Sequence, residues 1–158
     1  MKVLFIEDEK ETRELLVQQL KSKVDILSLE DSSNLFRTLS EFQPDLLLLD
    51  QLLPGKSGVE IIRELRNNSQ YSSIPIIMLT GLSGESEIVR ALEEGADDYV
   101  LKPFTAGELF ARINAVYRRT NDVQKKPEEK GKTLVSKNER LVVNQATHQV
   151  YHNGIEIF

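Results

Sequence analysis

Cysteine is absent from the 158 residues. That excludes disulfide staples, thiolate nucleophiles and cysteine-ligated zinc, and it fits a reducing compartment. Long apolar runs are also missing. The first, Val3-Leu4-Phe5-Ile6, ends in Glu7-Asp8 and is too short for a signal-peptide core or a membrane span, and no later run approaches those lengths. The expectation is a cytoplasmic protein with no membrane partner. Nor is there a basic surplus: residues 1–119 hold 14 Lys and Arg against 20 Asp and Glu, and residues 120–158 hold 6 against 5. Neither part has the positive body of a domain that grips phosphate backbones. Acid in the first part points to cation binding or to plain solubility. Internal repeats and low-complexity tracts are lacking too.

What the chain does have is 40% apolar residues, enough for a core, arranged in a regular alternation. Short apolar runs at Val3–Ile6, Val24–Leu29, Leu46–Leu49, Ile74–Leu79 and Tyr99–Leu101 read as strands. Leu46–Leu49 and Ile76–Leu79 are apolar throughout, as central parallel strands buried on both faces should be. Between them lie helical stripes at three- and four-residue spacing: Leu15, Leu16 and Leu20; Leu35, Phe36, Leu39 and Phe42; Ile61, Ile62 and Leu65; Ile88, Ala91 and Leu92; Leu109, Ile113 and Val116. Pro44, Pro54, Pro75 and Pro103 fall in connections. Five βα units predict an α/β fold, a doubly wound five-stranded parallel sheet in the flavodoxin-like order. Residues 120–132, TNDVQKKPEEKGK, lack an apolar period and read as a linker. Then Thr133–Val135, Leu141–Val143, Gln149–His152 and Ile155–Phe158 predict a short antiparallel sheet, with Asn153-Gly154 as a hairpin turn.

In an open parallel sheet, ligands sit beyond the carboxyl ends of the strands. Those ends carry Glu7 and Asp8, Asp50, Thr80 with Gly81, and Lys102 with Pro103. Taken singly, each has an ordinary use as a turn, cap or surface residue. Taken together, in an order the fold converges, they predict one acidic pocket with a hydroxyl and a lysine. Crowded carboxylates repel and raise one another's pKa. A hard cation with oxygen ligands, Mg²⁺ or in its place Mn²⁺, relieves that repulsion. Asp8 and Asp50 are the expected direct ligands, with Glu7 acting through water. Asp50 is then the expected nucleophile for an aspartyl-phosphate, Lys102 offsets charge on the incoming phosphoryl oxygens, and the Thr80 hydroxyl donates to one of them.

At these residues the chain closely resembles the CheY-like receiver domains of two-component response regulators, from Lys2 to about Arg119. The pieces that carry the resemblance are VLFIEDE, LLLLDQLLPGKSG, IIMLTG and GADDYVLKPF. The resemblance implies phosphotransfer from a histidine kinase to Asp50 in a signalling domain that promotes its own phosphorylation and dephosphorylation. It implies Mg²⁺ held by Asp8, Asp50 and the backbone carbonyl of Leu52, a cis bond between Lys102 and Pro103, and a switch coupling Thr80 to Tyr99. Leu52 and Leu82 flank the site and are expected to restrict water.

GADDY and the arginine-bearing fifth helix narrow the resemblance to OmpR/PhoB-type transcription regulators. That subfamily implies a homodimer on phosphorylation through the fourth helix, fifth strand and fifth helix, with Asp97, Asp98, Glu108, Arg112 and Arg119 in its ion pairs. Ile88 departs from the pattern, standing where a basic partner for Glu108 is usual. Leu134–Phe158 resembles the N-terminal sheet of the winged-helix effector domain; the recognition helix that would follow is not in these residues, so DNA is reached only through that missing part. The division expected is receiver 1–119, linker 120–132 and effector fragment 133–158. His148 and His152 are expected at the surface, not on a metal. Two other readings compete: a magnesium-dependent phosphatase, disfavoured because Leu52 stands where such enzymes carry a second carboxylate, and a degenerate receiver that only binds partners.

Overall fold

The computed structural model describes residues 1–81 and 84–124 and the strands 133–135, 141–144, 149–152 and 155–156, with side chains as far as residue 122. Leu82, His148, Asn153-Gly154, residues 125–132 of the expected linker and the last two residues of the expected fourth antiparallel strand lie outside the described residues, as does the His152 side chain. Two units result, Met1–Thr120 and Asn121–Phe158.

In the first unit, β1 (Lys2–Ile6), β2 (Asp25–Leu29), β3 (Leu46–Asp50), β4 (Ile76–Thr80) and β5 (Asp98–Leu101) form one parallel sheet in the order β2-β1-β3-β4-β5. This is the doubly wound order expected from the five βα units. Strand residues alternate between two cores. Val3, Phe5, Leu46, Leu48, Ile77 and Leu79 face α1 (Lys10–Leu20) and α5 (Ala106–Gln124), and Leu4, Ile6, Leu47, Leu49, Ile76 and Met78 face α2 (Leu35–Phe42), α3 (Gly58–Asn67) and α4 (Glu85–Glu93). Period-two alternation with both faces covered is why the central strands are apolar at every position.

The helices contribute narrower stripes than expected. Leu15, Phe36 and Leu92, predicted as core, are exposed, because α1, α2 and α4 each touch the sheet along a single ridge. Strand β4 begins at Ile76 and not Ile74, since Pro75 has no N–H to donate; only its carbonyl joins the ladder, accepting from Leu47 N–H at 2.8 Å. Residues 120–124 continue α5.

Two local devices set the site. Ser57 opens α3 with a capping box: Glu60 N–H donates to Ser57 Oγ at 3.3 Å and Ser57 N–H to Glu60 Oε2 at 2.7 Å. The next residue must be glycine, because a Cβ at Gly58 would lie 2.7 Å from Asp50 O and 2.9 Å from Met78 Sδ. This close approach seats the start of α3 directly behind Asp50.

The second unit contains β6 (Thr133–Val135), β7 (Leu141–Asn144), β8 (Gln149–His152) and β9 (Ile155–Glu156), antiparallel in sequence order.

Candidate functional site

The carboxyl ends of β1, β3, β4 and β5 meet at one rim. Parallel register aligns Asp50 with Leu79 and Thr80 with Leu101. Lys102 follows at once, its N–H donating to Thr80 O at 2.8 Å, and the Lys102–Pro103 peptide is cis. Carboxylate oxygens of Glu7, Asp8 and Asp50 lie within 4.8 Å of one another. The Lys102 ammonium sits among them, 2.9 Å from Glu7 Oε2 and 3.0 Å from Asp50 Oδ2.

Burial makes this cluster electrostatically strained. Glu7 and Asp50 are buried, at 1% and 6% exposure, while Asp8 is open to solvent. Burial lifts the Glu7 carboxyl above its ordinary value; the Lys102 hydrogen bond opposes this and the Asp50 charge adds to it. Burial pulls Lys102 down, but hydrogen bonds to Glu7 and Asp50 more than offset it, and its pKa ends above the usual lysine range. The lysine thus acts as an internal cation at a site built from acid.

Backbone donors complete the shell. Leu52 N–H reaches Asp50 Oδ1 at 3.2 Å and Glu9 N–H reaches Glu7 Oε1 at 3.2 Å. Arg13, from the first turn of α1, donates to Glu7 O at 2.7 Å and Asp8 O at 3.1 Å, fixing the loop that carries both acids. The sequence carried no signal for Arg13, since its partners are carbonyls that any residue would supply. An all-oxygen donor set with two buried carboxylates and one exposed fits a hard divalent cation. Glu7, Asp8 and Asp50 are the residues that would hold it; the Leu52 side chain is exposed beside them.

Thr80 is buried at the end of β4. Half-buried Tyr99 lines a narrow crevice with Thr80, Gln51, Met78 and Ile88. Ile88 is therefore turned partly inward, and the apolar residues exposed on α4 and β5 are Val89, Leu92 and Leu101. Within the chain Asp98 pairs with Arg112 at 3.3 Å, and Glu108 approaches the same arginine at 3.8 Å. Arg119 is exposed on α5.

Asp97 is engaged internally. Its Oδ2 accepts from Ile76 N–H at 2.8 Å and from Arg66 Nη2 at 3.1 Å. The same guanidinium donates twice to Gly95 O, at 3.0 and 2.7 Å, and to Ser72 O and Ile74 O at 3.1 and 2.7 Å. Arg66 thereby ties the end of α3 to the turns that precede β4 and β5. Arg66→Ala leaves these acceptors without their donor, and its urea midpoint is expected to fall by an amount equivalent to about 1–3 kcal/mol. An unchanged midpoint would show that water replaces the arginine at no cost.

Residues 3–114 match the response regulator receiver domain family, and the chain belongs to that family. Its relatives include transcription regulators. It is 39% identical to the phosphate regulon transcriptional regulatory protein PhoB of Shigella flexneri, over 94% of this chain and 62% of that one. It is 40% identical to the PhoB of Rhizobium meliloti, over 99% and 66%, and 39% identical to the DNA-binding response regulator MtrA of Mycolicibacterium smegmatis, over 77% and 52%. The chain thus spans between about half and two thirds of the length of these curated relatives. Among solved structures it is similar to the beryllofluoride-activated N-terminal receiver domain of RstA from Klebsiella pneumoniae, with TM-score 0.68 and 34% identity over 75% of this chain and 99% of that one. A Francisella receiver domain matches with TM-score 0.69 and 28% identity over 75% and 98%. No described helix is long and apolar enough to cross a membrane.

Proposed function

We propose that this chain accepts a phosphoryl group on Asp50 from a histidine kinase and uses it to change the surface formed by α4, β5 and α5. The observation that carries the reading is the Lys102 ammonium bridging Glu7 and Asp50 at 2.9 and 3.0 Å in a pocket that also holds Asp8. An Asp50 oxygen forms the new bond to phosphorus as the bond from phosphorus to the kinase imidazole breaks; the electron pair stays on the imidazole nitrogen, which takes up a proton. Lys102 turns from the carboxylates to the phosphoryl oxygens, and Thr80 donates its hydroxyl proton to one of them. Mg²⁺ or Mn²⁺, when bound, neutralises charge on the carboxylates and the phosphoryl oxygens. Leu52, an apolar exposed side chain, supplies no second acid or base, which favours phosphoacceptance over turnover of an external substrate.

In this reading residues 1–119 are the receiver, a linker precedes residue 133, and residues 133–158 begin a winged-helix effector domain. The longer protein is a cytoplasmic DNA-binding regulator that dimerises on phosphorylation. Asp98, Glu108, Arg112 and Arg119 present the charges of the dimer face, and Asp97 joins them only where Arg66 shares it. The Leu52 carbonyl would hold the cation together with Asp8 and Asp50, with Glu7 acting through water. Acetyl phosphate with Mg²⁺ is expected to give one phosphoryl group per chain by intact mass, and none after chelation. Beryllofluoride with Mg²⁺ is expected to convert monomer to dimer in sedimentation velocity. Absence of any label sinks the reading; label without dimer confines it to phosphoacceptance.

A further inference from the structure

One buried polar atom stands apart from the acidic rim. Gln51 Oε1 is closed off from solvent and accepts no hydrogen bond among the described residues. The backbone that carries it is pinned. Its N–H donates to Leu79 O at 2.9 Å, its carbonyl accepts from Gly58 N–H at 2.9 Å, and Gly58 packs so closely that a Cβ there would lie 3.0 Å from Gln51 Cα. An acceptor buried without a donor bears its desolvation cost in full, and such orphans in a folded protein have a reason.

Among the described residues, the crevice that Gln51 lines offers one donor. Met78, Ile88 and Ala91 are apolar, and the Glu87 carboxylate only accepts. Thr80 is already engaged with a partner of its own. Tyr99 remains. Its ring is half-buried against the core, and the hydrogen bond described for it runs from its backbone N–H to Asp98 Oδ1 at 2.9 Å, leaving the phenol as the donor at hand. The crevice is shared by the residue following Asp50, by Thr80 of the rim and by Tyr99.

We propose that Gln51 is a positioning residue for the phosphorylated state, its Oε1 accepting a hydrogen bond from the Tyr99 phenol when that ring turns into the crevice. The proposal rests on the reading of Asp50 as phosphoacceptor. In the resting state the acceptor is unsatisfied, so any arrangement that brings the phenol to it is favoured by the bond gained. Gln51 thereby biases the ring inward without touching the phosphoryl group.

A double-mutant cycle tests this, with beryllofluoride affinity in Mg²⁺ measured by calorimetry as the readout. Gln51→Leu and Tyr99→Phe are each expected to weaken binding about fivefold, the worth of one neutral hydrogen bond, and the double variant no more than either single one. Gln51→Leu is also expected to keep or raise the urea midpoint of the resting protein, an outcome opposite to that of a residue needed for packing. Gln51→Met repeats the test with a flexible side chain of similar length. Effects that multiply in the double variant, or wild-type affinity in both Gln51 variants, overturn the proposal while leaving Asp50 as phosphoacceptor. A wild-type protein that binds no beryllofluoride and takes no label from acetyl phosphate overturns that reading and the proposal with it.

Discussion

Asp50→Asn is expected to lose all labelling by acetyl phosphate and yet to unfold at the same or a higher urea concentration. The loss follows from chemistry: an amide oxygen lacks the charge needed to attack phosphorus. The stability follows from the geometry. Asp50 is buried at 6% exposure, with carboxylate oxygens of Glu7 and Asp8 within 4.8 Å, and it receives one ammonium contact in return. Two unit charges at that separation repel by roughly 1 kcal/mol in water and about 3 kcal/mol at the effective dielectric of a protein surface. Asparagine removes both repulsions and the desolvation of a charge. It keeps an oxygen for Leu52 N–H, while Lys102 keeps Glu7. A gain of about 1 kcal/mol is the expected size. Mg²⁺ should stabilise the wild type by mass action, and Asp50→Asn much less. Retained label would remove Asp50 from its role, and a markedly lower midpoint would show that the carboxylate is structural.

Lys102→Met should do the reverse. Without the ammonium, Glu7 and Asp50 are buried with no counter-charge in contact among the described residues. At neutral pH and without divalent cation the loss of stability is expected to be about 3–5 kcal/mol, with phosphoryl uptake sharply reduced. The sign of the pH dependence is fixed by Glu7. Its folded pKa already stands above the value of 4.5 that it has when unfolded, so the folded state binds the proton more tightly. The penalty is therefore absent below that value, grows as pH rises through the window up to the folded pKa, and is complete above it. Removing Lys102 removes a group that opposes the rise, so the window widens. Lys102 itself, raised above 10.5, contributes its full stabilisation below that pH and loses it only as pH climbs through its folded pKa. Urea unfolding at pH 5 and pH 8 measures the difference: the variant's deficit should be larger at pH 8. A deficit equal at both would mean that the lysine acts through packing alone.

Much of the architecture was legible as pattern. Four leucines in a row at 46–49 fit a strand covered on both faces, and the proline positions marked the connections. Strand edges were less legible. Ile74 looks like strand, but the missing N–H of Pro75 delays the ladder to Ile76. The helix over residues 120–124 was not legible, because the end of a long helix needs no apolar period. Leu15 and Leu92 look like core because spacing alone does not tell how wide a stripe the sheet will cover.

Which chemistry the rim could hold was written in the order of the chain, because acids, a threonine and a lysine at successive strand ends are a property of that order. Which groups pair with one another emerged from packing. Lys102 lies between Glu7 and Asp50, residues 95 and 52 positions away; Arg66 holds Asp97, and Gln51 Oε1 finds no donor among the described residues. The physical reason is that residue type and spacing set charge and hydrogen-bonding capacity, whereas burial and partner distance depend on segments remote in sequence, brought together only when the sheet is packed.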